Sequence, residues 1–184
     1  VYGTVSITKS VRLEGGYTLT NWLIPDPDGH PTVLDGGNSQ QVVSIGSGVT
    51  ATLEGFHIRN GSAAQGAGIY ISGGAPTVRR NRIYQNQATQ DGGGVYVADG
   101  EPLLENNLIY ANTSGNQGAG VYVEAGAARM RFNTFYSNTA STEGGGAYLA
   151  SGSPAITATV FLSNTATADG GGIYKAAGVP NRLN

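Results

Sequence analysis

The sequence predicts an all-β chain wound as a parallel β-helix, a solenoid with about 26 residues per coil. Three columns in phase carry that prediction. The segments GAGIY (Gly66 to Tyr70), GGGVY (Gly92 to Tyr96), GAGVY (Gly118 to Tyr122), GGGAY (Gly144 to Tyr148) and GGGIY (Gly170 to Tyr174) recur every 26 residues without a slip. Asn60, Asn86, Asn112, Asn138 and Asn164 keep the same interval, the last four closing the short runs RIYQN, LIYAN, TFYSN and VFLSN. Pro76, Pro102, Pro154 and Pro180 form the third column, with Ala128 once in place of Pro.

Local chemistry makes the repeat β rather than α. Each unit holds a Gly pair or triplet and clusters of Thr, Ser and Asn, while its apolar runs are short and rich in Val, Ile, Tyr and Phe. These are turn and strand signals, and they leave no room for a helix of about ten residues. A propeller blade would need about 40 residues. Three short strands and three turns fit the unit, each strand pairing with its equivalent one coil later at roughly 4.8 Å.

At the amino-terminal end, VSITKSVRLEGGY (Val5 to Tyr17) parallels VSIGSGVTATLEGFH (Val43 to His57) with a small difference in length. Between them, Asn21 to Pro31 contains Pro25, Pro27 and Pro31, which lack a backbone donor, so this stretch is expected to leave the coil as a surface loop. The expected organisation is one domain over 1–184: irregular coils over 1–48 with the loop at 21–31, regular coils over 49–178, and an incomplete coil over 179–184. Neither Val1 nor Asn184 adjoins a capping helix, so both ends are expected to present open strand edges.

Alternation assigns faces. Val43 and Ile45, Ile69 and Ile71, Val95 and Val97, Val121 and Val123, and Ala147 and Leu149 point inward. Tyr70, Tyr96, Tyr122, Tyr148 and Tyr174 then form an external aromatic ladder. Ile83, Ile109, Phe135 and Phe161 make a second inward column beside an outward one of Tyr84, Tyr110, Tyr136 and Leu162; Val78, Leu104, Met130 and Ile156 supply the third. The glycines are expected to provide positive φ or close backbone approach at the turn before the Tyr strand. The Asn column is expected to stack its amides and satisfy turn backbone groups.

These markers resemble the right-handed parallel β-helix repeat proteins of the pectin-lyase-like superfamily, in particular bacterial secreted and surface proteins with GG-x-[IVL] and F-x-x-N elements. FYSN (Phe135 to Asn138) and FLSN (Phe161 to Asn164) match the second element; GGGVY, GGGAY and GGGIY match the first. The resemblance implies a right-handed coil and an extracellular or cell-surface location. It also implies where catalysis would sit in an enzyme, since the superfamily's lyases and hydrolases cluster carboxylates on one outer face.

Charge and composition narrow the chemistry. A net charge of -2 and charged residues at 12% give no electrostatic footprint for nucleic acid. No apolar run is long enough for a transmembrane segment. The absence of Cys removes thiol chemistry, and two His leave little for a metal cluster. The best carboxylate column is Gln65, Asp91, Gln117, Glu143 and Asp169, in which only Glu143 and Asp169 are consecutive. That pair is the one candidate for Ca²⁺; otherwise no cofactor and no catalytic group is expected.

Arg79, Glu105 and Arg131 share a column and are expected to pair along it, beside Arg80, Arg82 and Arg129. His57 falls inward by strict count, but Phe56 and Ile58 are better core residues, so a one-residue slip turning it outward is expected; His30 lies in the loop. Thr113, Thr139 and Thr165 form a column that Gln87 interrupts. The expected function is a secreted or cell-surface structural or adhesive solenoid, stacking head to tail on itself into filaments and meeting surface glycans or proteins. The alternative is a carbohydrate-binding or carbohydrate-active module, a polysaccharide lyase or hydrolase, of a larger extracellular protein.

Overall fold

A computed structural model describes residues 4–179, and the expectations placed on Val1, Pro180 and the rest of 180–184 lie outside them. The chain winds as an all-strand parallel solenoid of about six coils with no helix among the described residues. None is therefore long and apolar enough to cross a membrane.

Four sheets run along the coil, one more than the three-strand unit expected. The first joins Val5–Ile7, Val43–Ile45, Ile69–Ile71, Val95–Val97, Val121–Val123, Ala147–Leu149 and Ile173–Lys175. The second joins Arg12–Glu14, Thr52–Glu54, Thr77–Arg79, Leu103–Glu105, Arg129–Arg131 and Ala155–Thr157. The third joins Thr32–Asp35, Phe56–Arg59, Arg82–Tyr84, Leu108–Tyr110, Thr134–Tyr136 and Val160–Leu162. The additional sheet is built from the pairs Ser62–Ala63, Gln87–Ala88, Thr113–Ser114, Thr139–Ala140 and Thr165–Ala166. Two residues are too few to show alternation, so these strands leave no periodic signal.

All strand pairs are parallel and in register, with Val95 opposite Val121, Leu104 opposite Met130 and Ile109 opposite Phe135. Inward side chains consequently stack on like side chains, and Ile69, Ile71, Val95, Val97, Leu104, Ile109, Val121, Val123, Phe135 and Leu149 are fully buried. Phe135 and Phe161 stack inside the coil at 4.6 Å. Upstream, Val5 pairs with Val43 and Arg12 with Thr52, while the chain from Gly15 to Pro31 leaves the sheets.

Corners explain the polar repeats. Gln85, Ala111, Ser137 and Ser163 lie in the left-handed region, φ 51–54°, and each immediately precedes a column Asn. Such a bend is costly for a residue with a Cβ and turns backbone groups away from the sheet ladder. The Asn amide that follows satisfies them. Asn112 donates to Ile83 O at 2.9 Å and to Asn138 Oδ1 at 3.0 Å, and its own Oδ1 accepts from the backbone N–H of Asn86 at 3.1 Å. Asn86, Asn112 and Asn138 are buried in this ladder, which Asn164 extends by donating to Phe135 O at 2.9 Å.

Asn60 is a correction. Its coil is one residue short, so Arg82 pairs with His57 and Gln87 with Ser62. The slip puts Asn60 at the left-handed corner, φ 53°, and Gly61 N–H in the ladder, donating to Asn86 Oδ1 at 2.9 Å. Asn60 donates to Asp35 instead. The same slip turns His57 outward and Ile58 into the core.

A second ladder, Asn81, Asn107 and Asn133, crosses the adjacent corner, where Arg80, Asn106 and Phe132 take positive φ. Two glycine roles meet in the segments from Gly66, Gly92, Gly118 and Gly144. Gly118 has φ +61°, and a Cβ there would lie 2.8 Å from Tyr122 Cβ; at Gly120 it would lie 2.3 Å from Gly146 O on the next coil.

Candidate functional site

The sequence-predicted aromatic columns occupy the outer faces of the first and third sheets. Tyr70, Tyr96, Tyr122, Tyr148 and Tyr174 stack in a continuous ladder, with centroids 5.0–5.3 Å apart and planes within 5–12°. Tyr84 and Tyr110 stack at 4.8 Å, and Tyr136 is exposed. Parallel stacking along the axis has a chemical consequence. Each inner ring spends both faces on its neighbours, so the column offers edges and hydroxyls outward. The inner rungs therefore present no open ring face on which a sugar or an apolar surface could stack.

Tyr96 departs most from a surface residue. It lies outside the hydrophobic core cluster yet is only 2% exposed, covered by its stacked neighbours and by polar side chains on either flank. Gln65 Nε2 donates to its hydroxyl at 3.1 Å, and that hydroxyl donates to Glu124 Oε2. Burial, followed by the hydrogen bond and charge of Glu124, holds the Tyr96 phenol far above the ordinary range. Burial, with Asp91 and Tyr148 nearby, pushes Tyr122 up to about 12. Tyr148 and Tyr110 are raised mainly by burial.

The carboxylate column borders this ladder. Asp91 Oδ1 accepts from Asn116 Nδ2 at 2.9 Å and from the N–H of Gln117 at 3.0 Å, and burial outweighs these bonds to raise its carboxyl above the usual carboxylate range. Gln117 Nε2 donates to Glu143 Oε2 at 2.7 Å, so Glu143 is engaged along the column by an amide. Among the described residues no three His, Cys, Asp or Glu side chains converge as metal ligands.

Glu124 belongs to this polar flank and went unnoticed in the sequence. Its signal was a broken column, since Ser72, Ala98, Ala150 and Ala176 hold the equivalent positions. In a repeat, the residue that departs from its column carries the local information.

The expected basic ladder forms in part, with Glu105 keeping Arg131 and Arg79 turning to another carboxylate. Arg79 pairs with Glu54 at 2.8 Å, where Arg12 and Arg80 also converge, both at 3.1 Å. Glu105 pairs with Arg131 at 2.7 Å, and Arg82 with Asp28 of the loop at 2.6 Å. The predicted Arg79–Glu105–Arg131 run is thus divided, because Glu54, buried one rung below Arg79, takes that guanidinium.

His57 faces Tyr84 edge-on at 6.0 Å beside a cavity of about 270 Å³ that also meets Asp28, Arg80 and Arg82. Burial and Arg82 lower its pKa, and its Nε2 has no hydrogen-bond partner among the described residues. His30 lies in the loop, with Nδ1 3.4 Å from Asp26 Oδ2. Thr139 and Thr165 share a hydroxyl contact at 3.1 Å within the exposed Thr column.

No curated protein and no solved structure matched the chain in similarity searches. A protein family did: residues 32–181 match the one described as "right handed beta helix region", which fixes the hand of the coil, and the chain belongs to that family.

Proposed function

We propose that the chain is a secreted or cell-surface structural solenoid, used for extension or adhesion rather than catalysis. The observation that carries this reading is how the outer side chains spend their chemistry. Tyr rings stack on Tyr rings, Gln117 bonds Glu143, Arg131 pairs with Glu105 and Thr139 meets Thr165, each one coil away along the axis. Groups satisfied by their own repeats stiffen a rod; a catalytic centre instead aims unspent groups at a substrate. End-to-end stacking into filaments belongs to the same reading, because each rung already pairs with a near copy of itself. Surface glycans or proteins would be met along the long faces. Antibody labelling of intact source cells tests the proposal: label without permeabilisation is expected, and label only after permeabilisation overturns it.

One observation favours a second reading, a carbohydrate-active module. Asp91, with its raised carboxyl, and Glu124, which accepts from Tyr96, flank the same tyrosine ladder. Carboxyl groups in unlike environments are the usual material of general acid and base chemistry.

A further inference from the structure

The segment that leaves the coil between Glu14 and Thr32 turns large apolar side chains into solvent. Leu19, Trp22, Leu23 and Ile24 are 91%, 71%, 89% and 70% exposed. The loop is nevertheless tightly built. Thr18 Oγ1 accepts from the N–H groups of Thr20 and Asn21 at 3.3 and 3.0 Å, and Asn21 Oδ1 accepts from those of Leu23 and Ile24 at 3.1 and 3.2 Å. Asn21 Nδ2 donates to Ile24 O, and Trp22 Nε1 to Leu19 O. Polar side chains thus face the loop's own backbone and apolar ones face water, the reverse of an ordinary solvated loop. A contact made by this finger would pay little ordering entropy.

The occupant follows from area and shape. Counting about 200 Å² for a fully exposed large side chain, each finger offers roughly 600 Å² of apolar surface, at the upper end of what a monomer tolerates. Two such surfaces bury roughly 1,200 Å², which reaches the lower bound of a stable specific interface. The same loop carries a cleft of about 850 Å³ whose walls include the finger's own Leu19 and Ile24 together with Thr18, Thr20, Asp26 and His30, leaving Trp22 and Leu23 outside it. A finger beside a cleft is self-complementary, as a two-fold contact requires. The finger carries no Asp, Glu, Lys or Arg from Gly15 to Pro25, and the one carboxylate on the cleft wall, Asp26, lies 3.4 Å from His30 Nδ1, so an entering Trp22 and Leu23 bring no like charge to it.

We propose that this loop is a dimerisation element, in which Trp22 and Leu23 of each chain enter the loop cleft of a second copy. Trp22 is the only tryptophan in the sequence, so its emission reports the contact directly. Sedimentation velocity across a nanomolar-to-micromolar series should show a monomer–dimer equilibrium, with Trp22 emission moving to shorter wavelength over the same range. Leu23→Ser should weaken association while keeping the reporter, and Trp22→Ser should raise the dissociation constant at least about thirtyfold. At concentrations where the wild type is monomeric both variants should keep its thermal midpoint, since the finger is outside the core, and only the wild type's midpoint should rise as concentration increases. A monomer throughout the series, or a dimer unaffected by both substitutions, overturns the proposal. An emission shift of monomeric protein on phosphatidylcholine vesicles also overturns it, by assigning the finger to a lipid surface.

Discussion

Replacing Asn112 with Ala probes the corner ladder at its centre. The side chain is fully buried and makes four hydrogen bonds: amide donations to Ile83 O and Asn138 Oδ1, and acceptance by Oδ1 from Asn86 N and Asn86 Nδ2. At about 1 kcal/mol net for each bond, and with the buried Asn86 N–H left without its acceptor, the loss should be roughly 3–6 kcal/mol. Domains of this size lose about 2–4 °C per kcal/mol, so the thermal midpoint should fall by at least about 6 °C. Urea unfolding followed by far-UV circular dichroism measures the change, with Thr113→Ala on the exposed neighbouring position as a control expected within about 0.5 kcal/mol. A reduced m-value would show coils around the lesion unfolding separately, as a quasi-one-dimensional fold allows. A loss below about 1 kcal/mol with an unchanged m-value would refute the reasoning that these amides satisfy the corners.

Ser114 sits in an inward column otherwise filled by Ala63, Ala88, Ala140 and Ala166, and its buried hydroxyl has no partner among the described residues. Ser114→Ala should therefore stabilise by about 1 kcal/mol in the same urea assay, and destabilisation would indicate a hydrogen bond to bound water. Alkaline titration by ultraviolet absorption should reveal phenols that resist ionisation, because Tyr96 and Tyr122 are raised in the fold. Their contribution is complete below about pH 10, the unfolded value; that of Tyr122 is lost as pH climbs through about 12 and that of Tyr96 persists further, and ordinary ionisation of every Tyr in the folded protein would contradict this. Asp91 is raised too, so its protonated form favours the fold at low pH and the charged form costs stability once pH exceeds its folded value. Asp91→Asn retains an Oδ1 acceptor and should raise the thermal midpoint at pH 7, with the gain shrinking towards pH 4; a gain independent of pH would contradict that cause.

Much of this architecture was legible because a repeated error is a visible one. Val95, Val121 and Ala147 agree in face at every coil, and one wrong assignment would misplace a whole column. The two-residue strands such as Thr113–Ser114 were invisible, being shorter than the period that reveals a strand. The slip at Asn60 escaped the Asn count because the first sheet keeps its interval through this coil, Val43 opposite Ile69 and Ile69 opposite Val95, while the strands between move by one residue; the same slip showed at His57, where Phe56 and Ile58 compete for the core. Asn81, Asn107 and Asn133 kept the coil interval but closed no aromatic run, so nothing drew attention to them. Burial of Tyr96 was beyond sequence reasoning, since it depends on Gln65 and Glu124 reaching the same hydroxyl from different coils.

The central claim is that the outer columns serve the rod and not a reaction. Its most direct test is incubation of the purified protein with acidic and neutral polysaccharides, with and without Ca²⁺, while recording unsaturated products and new reducing ends. The account predicts neither product above the buffer control. Turnover that Asp91→Asn or Glu124→Gln abolishes, in variants that keep the wild-type fold, would contradict it and establish the tyrosine face as a catalytic one.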